Sequence, residues 1–238
     1  MSPISPVVLI LGAGPNIGAN VAEQFAAQGY RVVLTSRNQH EDSNPSYSYV
    51  QGDLADPKSV VEIFAQAREL HGEPSVVVYN AGAVSYASKE NTFNIDLRTF
   101  ESDLNINTTS AFVAIKETLK SFASSSLAAG ASKTFIYTGN AMNFASFDGL
   151  LTLGLGKSAS AHMIQSAAAA FAEKGYKFYY ADQRQPDGKL CGKGISGHSH
   201  GKFYVHLAEG EKQGPWLQTF VKGQGYTDFP VGTDVTFG

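Results

Sequence analysis

The chain has 238 residues, 43% of them hydrophobic, a formal net charge of −3 and one cysteine. That length and apolar content suit one α/β domain with a buried core, and a mildly acidic balance without a basic run excludes a dedicated nucleic-acid binder. Cys191 alone forms no intramolecular disulfide, the Met-Ser-Pro-Ile-Ser-Pro start lacks a charged segment leading into a long apolar one, and the apolar stretches fall short of the roughly 20 residues that span a bilayer. A cytoplasmic protein with a small-molecule partner, and neither a membrane nor a nucleic-acid partner, is therefore expected.

The first element is the strand Val7-Val8-Leu9-Ile10-Leu11, which runs into Gly12-Ala13-Gly14-Pro15-Asn16-Ile17-Gly18. Gly12 and Gly14 let backbone approach a pyrophosphate, Gly18 lets the following helix pack close to the sheet, and the helix N-terminus faces the phosphates. Pro15 suits the first helical turn and Gly29 the position just past the end, with Ile17, Val21, Ala22, Phe25 and Ala26 as the buried stripe. The second strand, Arg31-Val32-Val33-Leu34-Thr35-Ser36, ends on Ser36, Arg37 and Asn38 where a site for NAD would place an acid for the ribose 2′-hydroxyl. Arg37 reads as a clamp for a 2′-phosphate, with no carboxylate nearby until Glu41 and Asp42, and NADP(H) is the expected cofactor.

A short strand at 48–51 leads to Asp53-Leu54 and to a helix capped by Asp56 with Pro57 in its first turn, running to about Leu70. Ser75-Val76-Val77-Val78-Tyr79 is a buried-type strand ending at Asn80-Ala81-Gly82. Leu97, Phe100, Leu104, Ile106, Phe112, Ile115 and Leu119 mark a long helix with a bend, 133–138 is a fifth strand, and a second long helix covers about 156–174. A strand at 177–181 follows. Residues 183–201 are Gly-rich and read as a mobile loop, with a helix over 200–208 and a last strand over 217–222. Alternating strands and helices predict a doubly wound α/β fold of the Rossmann type, with about seven parallel strands, helices on both faces and three α/β/α layers in one domain over 1–238.

These motifs together resemble the short-chain dehydrogenase/reductase family from residue 7 to about 222. The glycine turn matches at Gly12 and Gly18, with Asn16 in place of the middle glycine. Asp53-Leu54 stands where the family contacts adenine, Asn80-Ala81-Gly82 is the family motif unaltered, and Asn107-Thr108-Thr109-Ser110-Ala111-Phe112 is similar to the helix carrying the Asn of the catalytic tetrad. The resemblance implies a cradle of Gly12, Gly14, Asn16, Ile17, Gly18, Ser36, Arg37, Asp53, Leu54, Asn80, Ala81, Gly82 and Lys157, and a homodimer or homotetramer through the two long helices. Aligning Lys157 with the family lysine puts Leu153 where its Tyr belongs and Asn140 where its Ser belongs, while Gln183-Arg184 replaces a Pro-Gly loop. The catalytic set thus reduces to Asn107, Asn140 and Lys157, an atypical subgroup pattern that residues 200–207, Trp216 and residues 220–222 also resemble.

Leu153 has no proton to donate, whereas the amide of Asn140 can still hydrogen-bond a carbonyl oxygen. Two functions stay open: an NADP(H)-dependent oxidoreductase acting on a small carbonyl, enone or imine, and a non-redox isomerase, lyase, cyclase or NADP(H) sensor on the same scaffold. His198, His200 and His206 lack further ligands at metal-binding spacing, so no metal is expected, and His162 lies about 140° around its helix from Lys157. Tyr137, Tyr179 and Tyr180 are core residues or a substitute phenol, Asp182 a base or a loop cap, and Ala161, Ala168 and Ala169 face either another subunit or this chain's own core.

Overall fold

The computed structural model describes residues 5–38, 44–229 and 236. Strand β1 (Val7–Leu11) is apolar at every position because both of its faces are covered. Val7, Leu9 and Leu11 join a core with Phe64, Ile115, Phe122 and Ile164, while Val8 and Ile10 join another with Val21, Phe25, Phe203 and Leu207. The remaining strands are β2 (Arg31–Ser36), β3 (Tyr47–Gln51), β4 (Val76–Tyr79), β5 (Thr134–Thr138), β6 (Lys177–Arg184), β7 (Leu217–Val221) and β8 (Gly225–Tyr226). They form one sheet in the order β3-β2-β1-β4-β5-β6-β7-β8, parallel up to β7, with β8 turning back antiparallel as an eighth strand beyond the seven expected. Strand order reverses between β1 and β4, and the crevice at the carboxyl ends there is where this class of sheet receives ligands.

Helices α1 (Ile17–Ala27) and α6 (Gly197–Glu209) cover one face, and α2 (Pro57–His71), α4 (Ser110–Ala123) and α5 (Leu151–Phe171) the other. The long helix expected to carry a bend is interrupted by a five-residue π-helical turn, Asn105–Thr109, between α3 (Leu97–Leu104) and α4. As expected, Asp56 caps α2 by accepting from Lys58 N–H, with Pro57 as its first residue. Pro15 instead precedes α1, whose N-cap is Asn16.

Two further expectations are corrected. α5 starts at Leu151 rather than Gly156: Gly154 and Gly156 do not break it, because Gly156 is where Asn107 crosses the helix, and a Cβ there would stand 2.3 Å from Asn107 Cβ. The loop expected over 183–201 shrinks to 185–196. Gln183 and Arg184 belong to β6 and pair with Phe220 and Val221 of β7, and α6 begins at Gly197 under a Ser196 cap. Gly197 and Gly201 serve helix contact, since a Cβ on them would come within 2.3 Å of Asn16 O and 2.7 Å of Asn20 O. Ala161 and Ala168 are buried within this chain, whereas Ala169 is exposed. Glu41 and Asp42 lie outside the described residues. No helix among the described residues is long and apolar enough to cross a membrane.

The end of α6 is closed by Lys177 from β6, which is buried and donates to the carbonyls of Leu207 (3.3 Å), Ala208 (2.6 Å) and Gly210. Helix C-termini leave such carbonyls unpaired, and an ammonium there also opposes the helix dipole. Lys177→Met should cost about 3 kcal/mol in chemical denaturation, since it orphans acceptors in a water-poor site. His200 of α6 is 2% exposed, gives Nδ1–H to Ser196 O at 2.8 Å, and lies edge-on to Tyr204 and Phe220. Burial lowers its pKa from 6.5 to about 4. The unfolded chain therefore takes up a proton below pH 6.5 that the folded chain refuses, and stability falls as pH drops from about 6.5 toward about 4. This loss, on the order of 3 kcal/mol across the window, should be absent from the pH dependence of His200→Phe.

Candidate active site

The glycine turn is held from below and from the side. Gly12 N and Ala13 N donate to Thr35 O at 3.2 and 2.9 Å, and Asn80 Nδ2 donates to Gly12 O at 2.8 Å. Asn80 N and Ala81 N both bond Leu11 O, so the β1 and β4 loops leave the sheet back to back. Gly12 has φ +101°, and a Cβ on it would lie 2.6 Å from Ala81 N, so a side chain is excluded both by conformation and by space. Gly18 allows contact with this turn itself rather than with the sheet, as a Cβ there would meet Gly12 O at 2.8 Å. Gly14 has open space where its Cβ would be.

Around that opening lies a cavity of about 720 Å³. Its walls include Gly12, Gly14, Ser36, Arg37, Asp53 and Leu54, and it continues over Asn80, Ala81 and Gly82. Nine of the residues expected in the cradle thus line one space. Arg37 is exposed and fixed through its carbonyl, which accepts from Gln51 Nε2 at 2.9 Å. Ser36 Oγ donates to Asn38 O. Asp53 Oδ1 accepts from Ala55 N at 3.0 Å, and Leu54 O accepts from Ser110 Oγ at 2.7 Å, which ties the loop after β3 to α4.

Asn16, Ile17 and Gly18 stay out of the cavity wall. The Asn16 amide is turned to α6, donating to Ile195 O at 3.2 Å and accepting from Gly197 N at 2.9 Å. Asp103 is a wall residue that sequence reasoning missed. It is buried and accepts from Thr152 Oγ1 at 2.7 Å, and its only sequence signal is its place one helical turn before Asn107.

The expected catalytic residues lie outside the cavity wall, Asn107 and Lys157 buried and Asn140 half-buried. Asn107 is clamped at both ends of its amide by Ala83, at 2.8 and 2.9 Å, and its carbonyl accepts from Tyr137 OH (2.9 Å) and Ser160 Oγ (2.7 Å). Lys157 Nζ donates to Thr138 O at 2.7 Å and lies 4.6 Å from the centre of the Tyr137 ring. Burial lowers its pKa to about 8 despite the opposing charge of Asp182. Thr138 Oγ1 donates to Asn80 Oδ1 at 3.0 Å and accepts from Tyr204 OH at 2.9 Å, completing a chain from α6 to the glycine turn.

Asn140 Oδ1 accepts from Met142 N at 3.0 Å. Tyr180 OH accepts from Asn140 N at 3.1 Å and donates to Asn140 O at 2.7 Å, with its ring filling the space a Gly139 side chain would need. Tyr179 OH donates to Lys212 O. Each candidate phenol is therefore engaged with backbone in the interior. Leu153 is half-buried on α5, four residues before Lys157 and so on the same face. Among the described residues Asp182 pairs with a side chain rather than capping a loop: it is 1% exposed, bonded to the equally buried Arg184 at 2.5 Å, and desolvation raises its pKa to about 6. Arg184 also donates to Gly188 O at 2.8 Å.

Whether these residues suit a dinucleotide can be tested on two features of the cavity. Thr35 Oγ1 is buried in its wall without a hydrogen-bond partner among the described residues, and Gly14 leaves backbone bare to the space. An orphaned hydroxyl and an uncovered turn beside a helix N-terminus fit a polar, anionic occupant. No group of three or more His, Cys, Asp or Glu that could hold a metal occurs among the described residues.

Comparison with known proteins agrees with this geometry. A family model described as short chain dehydrogenase matches residues 6–175. The chain is 63% identical over 243 residues to a short chain dehydrogenase/reductase, dmxR12, of Cryptosporiopsis sp. (strain 8999), covering 98% of both proteins. It is 31% identical over 121 residues to versicolorin reductase stcU of Emericella nidulans, covering 47% of this chain and 45% of that one. Among solved structures, NADH-dependent reductase A1-R′ complexed with NAD superimposes with a TM-score of 0.77 at 18% identity, over 91% of this chain and 94% of that one. ElxO with NADP bound also gives 0.77, at 20% identity, over 92% and 98%. At such identities the likeness is one of fold.

Asn80→Ala removes the side chain that joins Gly12 O to Thr138. We expect a loss of about 2–3 kcal/mol in stability by denaturant titration, with faster amide exchange concentrated in the glycine turn.

Proposed function

The chain belongs to the short-chain dehydrogenase family of oxidoreductases, and on that premise we propose that it is an NADP(H)-dependent reductase of a carbonyl or enone that works without a phenol at position 153. The observation that carries this reading is the continuous cavity from Gly14 to Gly82 with Arg37 in its wall. The glycine turn and the first turn of α1 would hold the pyrophosphate, Leu54 and Asp53 the adenine, and Arg37 with Ser36 the 2′-phosphate. The bound nicotinamide supplies hydride, and everything else is asked of the protein.

Leu153 offers no acid, so the site works by orientation and charge. Lys157 holds a proton at Nζ that burial has already made easier to release, and its contact with Thr138 O fixes where that proton stands. Asn140 has its Oδ1 committed to Met142 N–H, which leaves Nδ2 as the donor for a carbonyl oxygen. An enone or other activated acceptor requires less proton assistance than a simple ketone, and versicolorin is the first compound to offer because the Emericella relative is named for reducing it.

Fluorescence titration with NADPH and NADH tests the cofactor. The parent protein should prefer NADPH, and Arg37→Ala should weaken NADPH binding about 10- to 100-fold while leaving NADH within about threefold. Equal affinity of the parent for both nucleotides would overturn the NADP(H) assignment. Binding of NADPH without hydride transfer to any accepted substrate would move the protein to the sensor or non-redox reading.

A further inference from the structure

Residues 185–196 connect β6 to α6 at the carboxyl edge of the sheet, and two amide side chains grip their far end. Gln183 of β6 accepts from Ser196 N at 2.8 Å and donates to Gly194 O at 3.4 Å. Asn16, from the glycine turn, donates to Ile195 O and accepts from Gly197 N. Gly192, Lys193, Gly194 and Ile195 are exposed, and Gly194 N also donates to Cys191 O at 2.7 Å.

Both atoms of the Asn16 amide are thus spent about 180 residues away in sequence, on the first turn of α6. Asn16 is also the residue before Ile17, so its own conformation, φ −93° and ψ −84°, sets how the unpaired N–H groups at the start of α1 are presented. Gly197 is part of the same fit: a Cβ there would stand 2.3 Å from Asn16 O and 2.6 Å from Asn16 Oδ1, so only glycine lets the two helix starts meet. An anion bound at Gly14 and the α1 N-terminus bears on the backbone of residues 14–17. Through one rigid amide that restraint reaches Ile195 and Gly197.

We propose that Asn16 is a positioning residue that fastens the segment after β6 to the dinucleotide turn, so that filling the cradle tightens residues 192–198 against it. The coupling rests on the dinucleotide reading above. The fastening itself does not, since it is present in the protein alone. A glycine at position 16 would present the same turn to a phosphate but leave the entry to α6 unheld.

Hydrogen–deuterium exchange on the whole chain, with and without NADPH at a saturating concentration for each variant, separates the two claims. Without nucleotide, Asn16→Ala should exchange about tenfold faster over residues 194–199, Gly197 N–H above all, while β1 and β4 stay as slow as in the parent. Asn16→Asp keeps an acceptor for Gly197 N–H but cannot donate to Ile195 O, and should restore Gly197 to within about threefold. NADPH should slow residues 192–198 in the parent and leave them unslowed in Asn16→Ala. Unchanged ligand-free rates in Asn16→Ala would overturn the fastening, and equal slowing by NADPH in parent and Asn16→Ala would overturn the coupling. A parent that binds no NADPH would end the NADP(H) reading and the coupling together, with the ligand-free rates still deciding the fastening.

Discussion

Everything at the carboxyl edge of the sheet depends on the closeness of two loops. Gly12 and Ala81 leave adjacent strands with so little room that a single Cβ would reach backbone nitrogen, and Asn80 stitches them by one bond to Gly12 O and another from Thr138. Backbone groups pressed together in such a junction pair with one another, and a bond lost there leaves a polar group without its partner. The cavity exists because the junction holds the glycine turn open on its other side. Tyr204, reaching Thr138 from α6, extends the same constraint across the sheet.

The two halves of the site are stabilised by different physics. The cradle is built from backbone and small side chains, and its one strong cation, Arg37, stays in water where a phosphate could recruit it at little desolvation cost. Outside its wall, Lys157, Asp182 and Arg184 are charges taken almost wholly out of water. Burial of that kind is tolerated only with partners, and the partners here are carbonyls, each other and aromatic rings. It also brings Lys157 and Asp182 nearer neutrality than exposed groups of their kind, which keeps both responsive near physiological pH.

What the sequence made legible was local. The strand, turn and helix from Val7 to Arg37 are specified by neighbours along the chain, as are the Asp56 cap and the buried run of β4, and of these Gly12, Gly14, Ser36 and Arg37 line the cavity where expected. The misread parts depend on distant chain. Gln183 and Arg184 look like loop residues until β7 arrives to pair with them, and the helix read as starting near Gly156 starts at Leu151, with Asn107 crossing it at that glycine. Asp103 became a wall residue through Thr152, 49 positions away. No periodicity within α3 could announce that. The Asn16 amide belongs here too, since its side chain answers to α6 rather than to the turn in which it stands.

The way Tyr180 grips residue 140 bears on how such a protein changes over time. The phenol holds the N–H and the carbonyl of that residue and rests its ring on Gly139, so the backbone of position 140 is held through its main-chain groups. Its side chain adds one bond to the fold, accepting from Met142 N, which other short side chains with an oxygen acceptor can also make. Lineages can exchange the group presented there at small cost to folding, and the scaffold can drift from one chemistry to another through a single codon while its architecture stays put.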